Sequence, residues 1–256
     1  MKDLAITAAK EAGKILLDNF GKIERIDTKD VRELVSNVDV AAENKIIEVI
    51  KAKYPDHGIL GEESEEEITD SDYKWIIDPL DGTHNYIYGI NSFGISIALE
   101  HKDEIVIGVV YMPYNDELYW AEKGKGAYLN GEPISVSQRP MEEALILFDS
   151  TLDESHGEKA DKTGFLSVLV EEIFGLRMTG SAARNLSLIA SGCADMVIEY
   201  SDKPWDFAAG GLLVEEAGGK MTTLYGDKWS PYVRGYVGSN GKFHDEIIIL
   251  LEPFWH

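Results

Sequence analysis

Lys74-Trp-Ile-Ile-Asp-Pro-Leu-Asp-Gly-Thr-His-Asn-Tyr86 sets two carboxylates, Asp78 and Asp81, three residues apart where an apolar run ends. Tyr73 to Ile77 is apolar, aromatic and β-branched, which predicts a short buried strand. Pro79 lacks a backbone donor and fixes its own φ, so the ladder is expected to stop there. Gly82 permits a sharp bend, and the chain is expected to leave as a turn or short helix. Two acids on one tight turn repel, and one pKa rises unless a cation sits between them. Mg²⁺ is the expected cation, because hard divalent ions take carboxylate, carbonyl and water oxygens. Taken alone, the stretch reads equally well as ordinary turn chemistry.

Two other stretches decide between these readings. Gly61-Glu62-Glu63-Ser64 ends another apolar run, and Pro204-Trp205-Asp206 opens a helix far downstream. Acids delivered from three strand or helix ends suit a shared metal site. With GSAA at 180–183 and PWDFAAG at 204–210, GEES at 61–64 and WIIDPLDGTHNY at 75–86 resemble the inositol monophosphatase family. Its members are Mg²⁺-dependent, lithium-inhibited phosphatases of sugars and polyols. The motifs stand in the family's order, and the similarity extends over nearly the whole chain.

Composition narrows the partners. The chain has 256 residues, is 44% hydrophobic and carries a net charge of −22. That acidity argues against nucleic-acid binding through a basic face. A phosphate ester would need metal ions to approach so acidic a surface. Cys193 is the only cysteine, so no intrachain disulfide forms. Between Gly192 and Ala194 it is expected to be a small buried thiol. No signal-peptide core and no apolar run of membrane-spanning length occurs, so no membrane partner is expected and a cytoplasmic location is the default.

Residues 3–20 place Leu4, Ala8, Ala12, Ile15 and Leu16 on one face, predicting an amphipathic helix ended at Gly21. Residues 22–35 read as a strand pair or mobile loop. Ser36 to Asp39 opens a second helix, and Gly58 to Gly61 forms a short strand that delivers Glu62. The acid-rich run to Asp72 reads as a solvated loop. Two hairpins are predicted, 92–100 with 104–112 and 117–122 with 126–129, followed by a turn at Asn130-Gly131. From Ala144 strands and helices alternate, which implies helices layered on a sheet. The polar stretch 137–143 divides a β-rich half, 1–140, from an alternating half, 141–256, with the two sharing an interface. The resemblance implies a layered α+β or α/β fold, an αβαβα sandwich of the inositol monophosphatase and fructose-1,6-bisphosphatase type. It places the site between the halves.

The resemblance also implies a ligand set. One Mg²⁺ falls on Glu62, Asp78 and the Leu80 carbonyl; a second falls on Asp78, Asp81 and Asp206, with Asp78 bridging. A third, weaker ion lies near Glu62. Mn²⁺ is an expected substitute and Li⁺ an expected inhibitor. Paired ions about 3.5–4 Å apart clamp both oxygens of an in-line displacement. Thr83 is implied to orient the attacking water, with Asp39 accepting its hydroxyl and Glu62 assisting as base. Asp81, Gly82, Thr83 and Asp206 are implied to meet substrate, as are Gly180, Ser181 and Ala182 at a helix start. Glu199 is implied to accept a substrate hydroxyl.

Each residue also has a plainer reading. Asp206 suits any helix N-terminus, Thr83 and Ser181 suit caps, and Glu199 suits a surface acid. Tyr86 stands where the family most often has Phe. Lys29 is offset from a family lysine, Arg177 reads as a structural ion pair, and Lys203 is placed to tune substrate choice. No G-x-S-x-G elbow or metal-spaced histidine pair occurs. The expected reaction is hydrolysis of a small polyol or sugar phosphate, inositol 1-phosphate for preference, by a homodimer. Fructose-1,6-bisphosphatase activity is the main alternative. A 3′,5′-bisphosphate nucleotidase is disfavoured, because that branch usually has Lys-Glu where His84-Asn85 stands. A non-catalytic regulatory or scaffold protein predicts a broken acid set, and every expected acid is present.

Overall fold

The computed structural model describes residues 1–22, 27–30, 33–35, 37–149 and 164–254. The expected helix start at Ser36 and most of the polar stretch after Asp149 lie outside them. Between the first two helices, β1 (Asp27–Asp30) and β2 (Glu33–Val35) form a strand pair, the first of the two readings open for 22–35.

Seven strands make the first sheet: β3 (Gly58–Gly61), β4 (Tyr73–Asp81), β5 (Gly94–His101), β6 (Glu104–Met112), β7 (Glu117–Glu122), β8 (Ala127–Leu129) and β9 (Glu132–Ile134), in that spatial order. β3 and β4 are parallel, and each later pair is antiparallel. The hairpin turns are the predicted ones: Lys102-Asp103 and Asn130-Gly131 take positive φ, as tight hairpins require. The second sheet contains β10 (Leu145–Asp149), β11 (Gly175–Arg177), β12 (Met196–Glu199), β13 (Lys220–Thr223) and β14 (Tyr236–Ser239), in the order β11-β10-β12-β14-β13.

Period-2 alternation sorts side chains into three cores. On β4, Trp75 and Ile77 point to α1 (Lys2–Asn19) and α2 (Asn37–Lys51), while Ile76 points to α5 (Ala182–Ala190) and α6 (Pro204–Glu216). On β10, Leu147 joins that central core. Ile146 and Phe148 join the outer one, beneath α4 (Gly164–Glu172) and α7 (His244–Leu251). The layers therefore run α1/α2, seven-stranded sheet, α5/α6, five-stranded sheet, α4/α7. This is the expected αβαβα sandwich, and its middle layer packs against both sheets.

Two expectations need correction. β4 does not stop at Pro79 but continues to Asp81 through a bulge: Asp78 opposes Ser96 and Asp81 opposes Gly94. β3 ends opposite Ile77. Beyond that point β4 has a free edge, where proline is tolerated, and the extra residue is absorbed as a bend. Cys193 is exposed rather than buried, because it lies in the turn that follows α5.

Candidate metal centre

The bulge at the end of β4 re-aims the two acids of the organising stretch. Asp78 is 1% exposed, and its Oδ1 accepts the Leu80 N–H at 2.8 Å. Asp81 faces the start of α5. It accepts the Ser181 hydroxyl, the Ala182 N–H at 3.1 Å and the Ala183 N–H at 3.1 Å. Ser181 also caps α5 by accepting the Arg184 N–H at 3.1 Å. The amides of Ala182 and Gly180, expected to meet substrate, are here engaged by Asp81 and Asp149.

Gly82 sits at φ +83°, directly before the short helix α3 (Thr83–Ile87). Gly82, not Thr83, occupies the cap position, and the Thr83 hydroxyl donates to the Leu80 carbonyl at 2.9 Å. A Cβ on Gly82 would lie 2.8 Å from the Ser92 carbonyl and 3.3 Å from Ser181 Cβ. Gly82→Ala is therefore expected to cost about 1–3 kcal/mol, read as a lowered midpoint in urea titration. A midpoint equal to the parent's would show the bend is not required.

Glu62 follows β3, and its N–H bonds the Ile77 carbonyl at 3.2 Å, which sets it beside Asp78. The next peptide is anchored from α2, where buried Glu43 accepts the Glu63 N–H at 3.0 Å. Asp39, also on α2, is buried and close enough to act electrostatically on Glu62. Asp206 stands in the first turn of α6 and accepts the Lys203 N–H at 2.6 Å. That turn is tied to the first sheet by the Ser96 hydroxyl, which donates to the Trp205 carbonyl at 2.9 Å. Glu62 is exposed and Asp206 half-buried, and both lie within electrostatic reach of Asp78.

Burial and mutual repulsion raise Glu62, Asp78, Asp81 and Asp206. Burial pushes Glu62 up to about 8, against a hydrogen bond with Asp78. Asp78 rises well above the usual range through burial and then the charges of Glu62, Asp81 and Asp206. Burial takes Asp81 up to about 6 despite its three donors. Asp206 rises through burial and then Asp202 and Glu62. The charges that act on them most are all carboxylates. An all-oxygen donor set that repels itself fits a hard divalent cation such as Mg²⁺. Among the described residues no group of three acids is arranged closely enough to hold a metal ion as it stands.

Glu199 is not a surface acid. It is 2% exposed, and its Oε1 has no hydrogen-bond partner among the described residues. It pairs in register with Asp149 on the parallel neighbour β10. α4, which follows β10, and α5, which precedes β12, lie on opposite faces of this sheet. The carboxyl ends of β10 and β12 therefore lie where the flanking helices change faces, the kind of position at which open α/β sheets bind ligands. Asp202 adjoins this pair. Burial lifts it to about 7, and the Tyr236 hydroxyl donates to it at 3.0 Å. Sequence reading passed over Asp149 and Asp202. Asp149 ends the apolar run of β10 much as Asp78 ends that of Tyr73 to Ile77, a signal that was present. Arg177 donates to its neighbour's carbonyl, Leu176, at 2.8 Å. Lys203 is exposed beside Asp206, and the Lys29 side chain lies outside the described atoms. Tyr86 uses the oxygen that Phe lacks, donating to the Leu16 carbonyl at 2.6 Å. No helix among the described residues is long and apolar enough to cross a membrane.

The profile of the Inositol monophosphatase family matches residues 1–254. A fructose-1,6-bisphosphatase/inositol-1-monophosphatase of Aquifex aeolicus is 38% identical over 257 residues, covering 98% of this chain and 95% of that one. The Nus factor SuhB of Haemophilus influenzae is 40% identical over 237 residues, covering 91% and 88%. The crystal structure of the extragenic suppressor protein suhB from Bartonella henselae superposes with a TM-score of 0.92 at 35% identity, covering 98% of this chain and 97% of that one. A whole-length profile match and relatives of this identity and coverage leave one conclusion: the chain belongs to the inositol monophosphatase family.

Proposed function

We propose that this chain hydrolyses the phosphate monoester of a small polyol or sugar, inositol 1-phosphate for preference, to the free alcohol and phosphate. The observation that carries the reading is that Glu62, Asp78, Asp81 and Asp206, delivered from three separate elements, lie near enough for Glu62, Asp81 and Asp206 all to repel the buried Asp78. These side chains, with the Leu80 carbonyl, would hold Mg²⁺, which supplies charge neutralisation and polarises the phosphoester. Glu62, set beside Asp78 by the Ile77 carbonyl, would take a proton from the attacking water once a bound cation has ionised it. Thr83 commits its proton to Leu80 and so offers lone pairs that orient this water. Asp39 adds negative charge that favours the protonated form of Glu62. On the alcohol side Glu199 Oε1, unpaired among the described residues, would accept a hydroxyl.

A panel of inositol 1-phosphate, fructose 1,6-bisphosphate and adenosine 3′,5′-bisphosphate, assayed with Mg²⁺ and graded Li⁺, tests the reading. The expected order has inositol 1-phosphate first, with inhibition by Li⁺. Equal rates on all three would sink the preference. The Aquifex relative's double name keeps fructose 1,6-bisphosphate as the main competitor. The Haemophilus relative is named a Nus factor, which keeps a regulatory role as a second reading. Asp81→Asn introduced in the natural host separates the two. A purely regulatory role leaves cells like the parent, whereas a hydrolytic role reproduces the phenotype of deletion.

A further inference from the structure

The turn before α5 is gripped from two sides. Asn85 Nδ2, from α3, donates to the Thr179 carbonyl at 2.8 Å and to the Gly180 carbonyl at 3.3 Å. The opposite side of the turn is held by Asp149, at the end of β10. Its two carboxylate oxygens accept the Gly180 N–H at 3.1 and 3.0 Å. Oδ2 also accepts Asn185 Nδ2 at 2.7 Å, and Asn185 Oδ1 in turn accepts the Thr179 hydroxyl at 2.7 Å. Asn185 is fully buried and anchors the inner end of this network, while the Gly180 N–H meets Asp149 at the exposed end. The residues that follow, Ser181, Ala182 and Ala183, supply all three donors on Asp81.

A carboxylate is an expensive choice for that grip. Asp149 adds repulsion to Asp81, Glu199 and Asp202, which a neutral acceptor would avoid. What a carboxylate offers, and Asn does not, is two acceptors facing an N–H and an amide NH₂ together. We infer that Asp149 is a positioning residue: it locks the Thr179–Gly180 turn and thereby aims the start of α5 at Asp81. The inference rests on the reading of Asp81 as a ligand for its functional consequence, but not for its structural one.

Amide hydrogen exchange on the full-length chain, parent against Asp149→Ala, tests the structural part. Exchange in residues 179–183 is expected to accelerate about tenfold or more, the scale of a lost hydrogen bond to a charged acceptor. β4 and α6 should exchange as in the parent. Asp149→Asn, close to Asp in shape, serves if Asp149→Ala does not fold. It should show the same local acceleration, because its NH₂ meets the Gly180 N–H or the Asn185 NH₂. Calorimetric Mg²⁺ titration tests the functional part without needing turnover, with affinity expected to fall about tenfold in the variants. A parent that binds Mg²⁺ yet hydrolyses nothing would defeat the proposed function and leave this inference standing. Exchange at 179–183 unchanged in both variants, or accelerated evenly along the chain, would overturn it.

Discussion

Asp78→Asn should lower kcat/KM by at least about a thousandfold, equivalent to about 4 kcal/mol of transition-state stabilisation. Asp78 is the most buried of the candidate ligands and feels all the others, Glu62, Asp81 and Asp206. Its Oδ1 is already fixed by the Leu80 N–H, so its geometry does not depend on neighbours that an amide would displace. Asn keeps the shape and one acceptor oxygen but removes the charge. The same variant should be more stable than the parent when metal-free near pH 7.5, because one repelling charge has gone. Opposite signs in activity and metal-free stability distinguish a site assembled for a cation from a structural acid. A variant that lost both would place Asp78 in the scaffold instead.

Stability should depend on pH and on Mg²⁺ in a linked way. A carboxyl whose folded pKa is raised keeps its proton where the unfolded chain has lost it. Folding then takes up protons, and stability present at low pH is lost as pH rises through the folded value. For Asp81 the window runs from about 4 to about 6, and for Glu62 it reaches about 8. The shift at buried Asp81 alone corresponds to roughly 3 kcal/mol. The Tm of the metal-free protein should therefore fall by about 5–10 °C between about pH 5 and about pH 7.5. Mg²⁺ at a hundred times its dissociation constant should return about 2.7 kcal/mol, and should do so only at the higher pH, where the ligands are ionised. Differential scanning calorimetry across this grid measures it. A Tm that rises with pH without metal would contradict the assignment of raised pKa values.

Much of this is legible in the sequence. Period-2 and period-3.6 patterns are local, so most strands and helices fell where they were expected, including the hairpin turn at Asn130-Gly131. The four acids were readable because each ends an apolar run or opens a helix. Pairing is not local, and the strand order of the second sheet, with β14 inserted between β12 and β13, could not be read from the pattern. The bulge at Pro79 was missed because a proline looks like a stop unless the neighbouring strand is known to have ended. Asp149 was passed over for a related reason: its meaning depends on Gly180 and Asn185, thirty-one and thirty-six residues away. Glu43 looks like any acid on a helix until the backbone of Glu63 is brought against it.

The most direct test is anomalous diffraction from crystals grown with Mn²⁺, which scatters where Mg²⁺ does not. Peaks bridged by Asp78 and contacted by Glu62, the Leu80 carbonyl, Asp81 and Asp206 are the predicted result. Saturating Mn²⁺ with these carboxylates unoccupied, or ordered only on the acid-rich surface between Glu63 and Asp72, would contradict it.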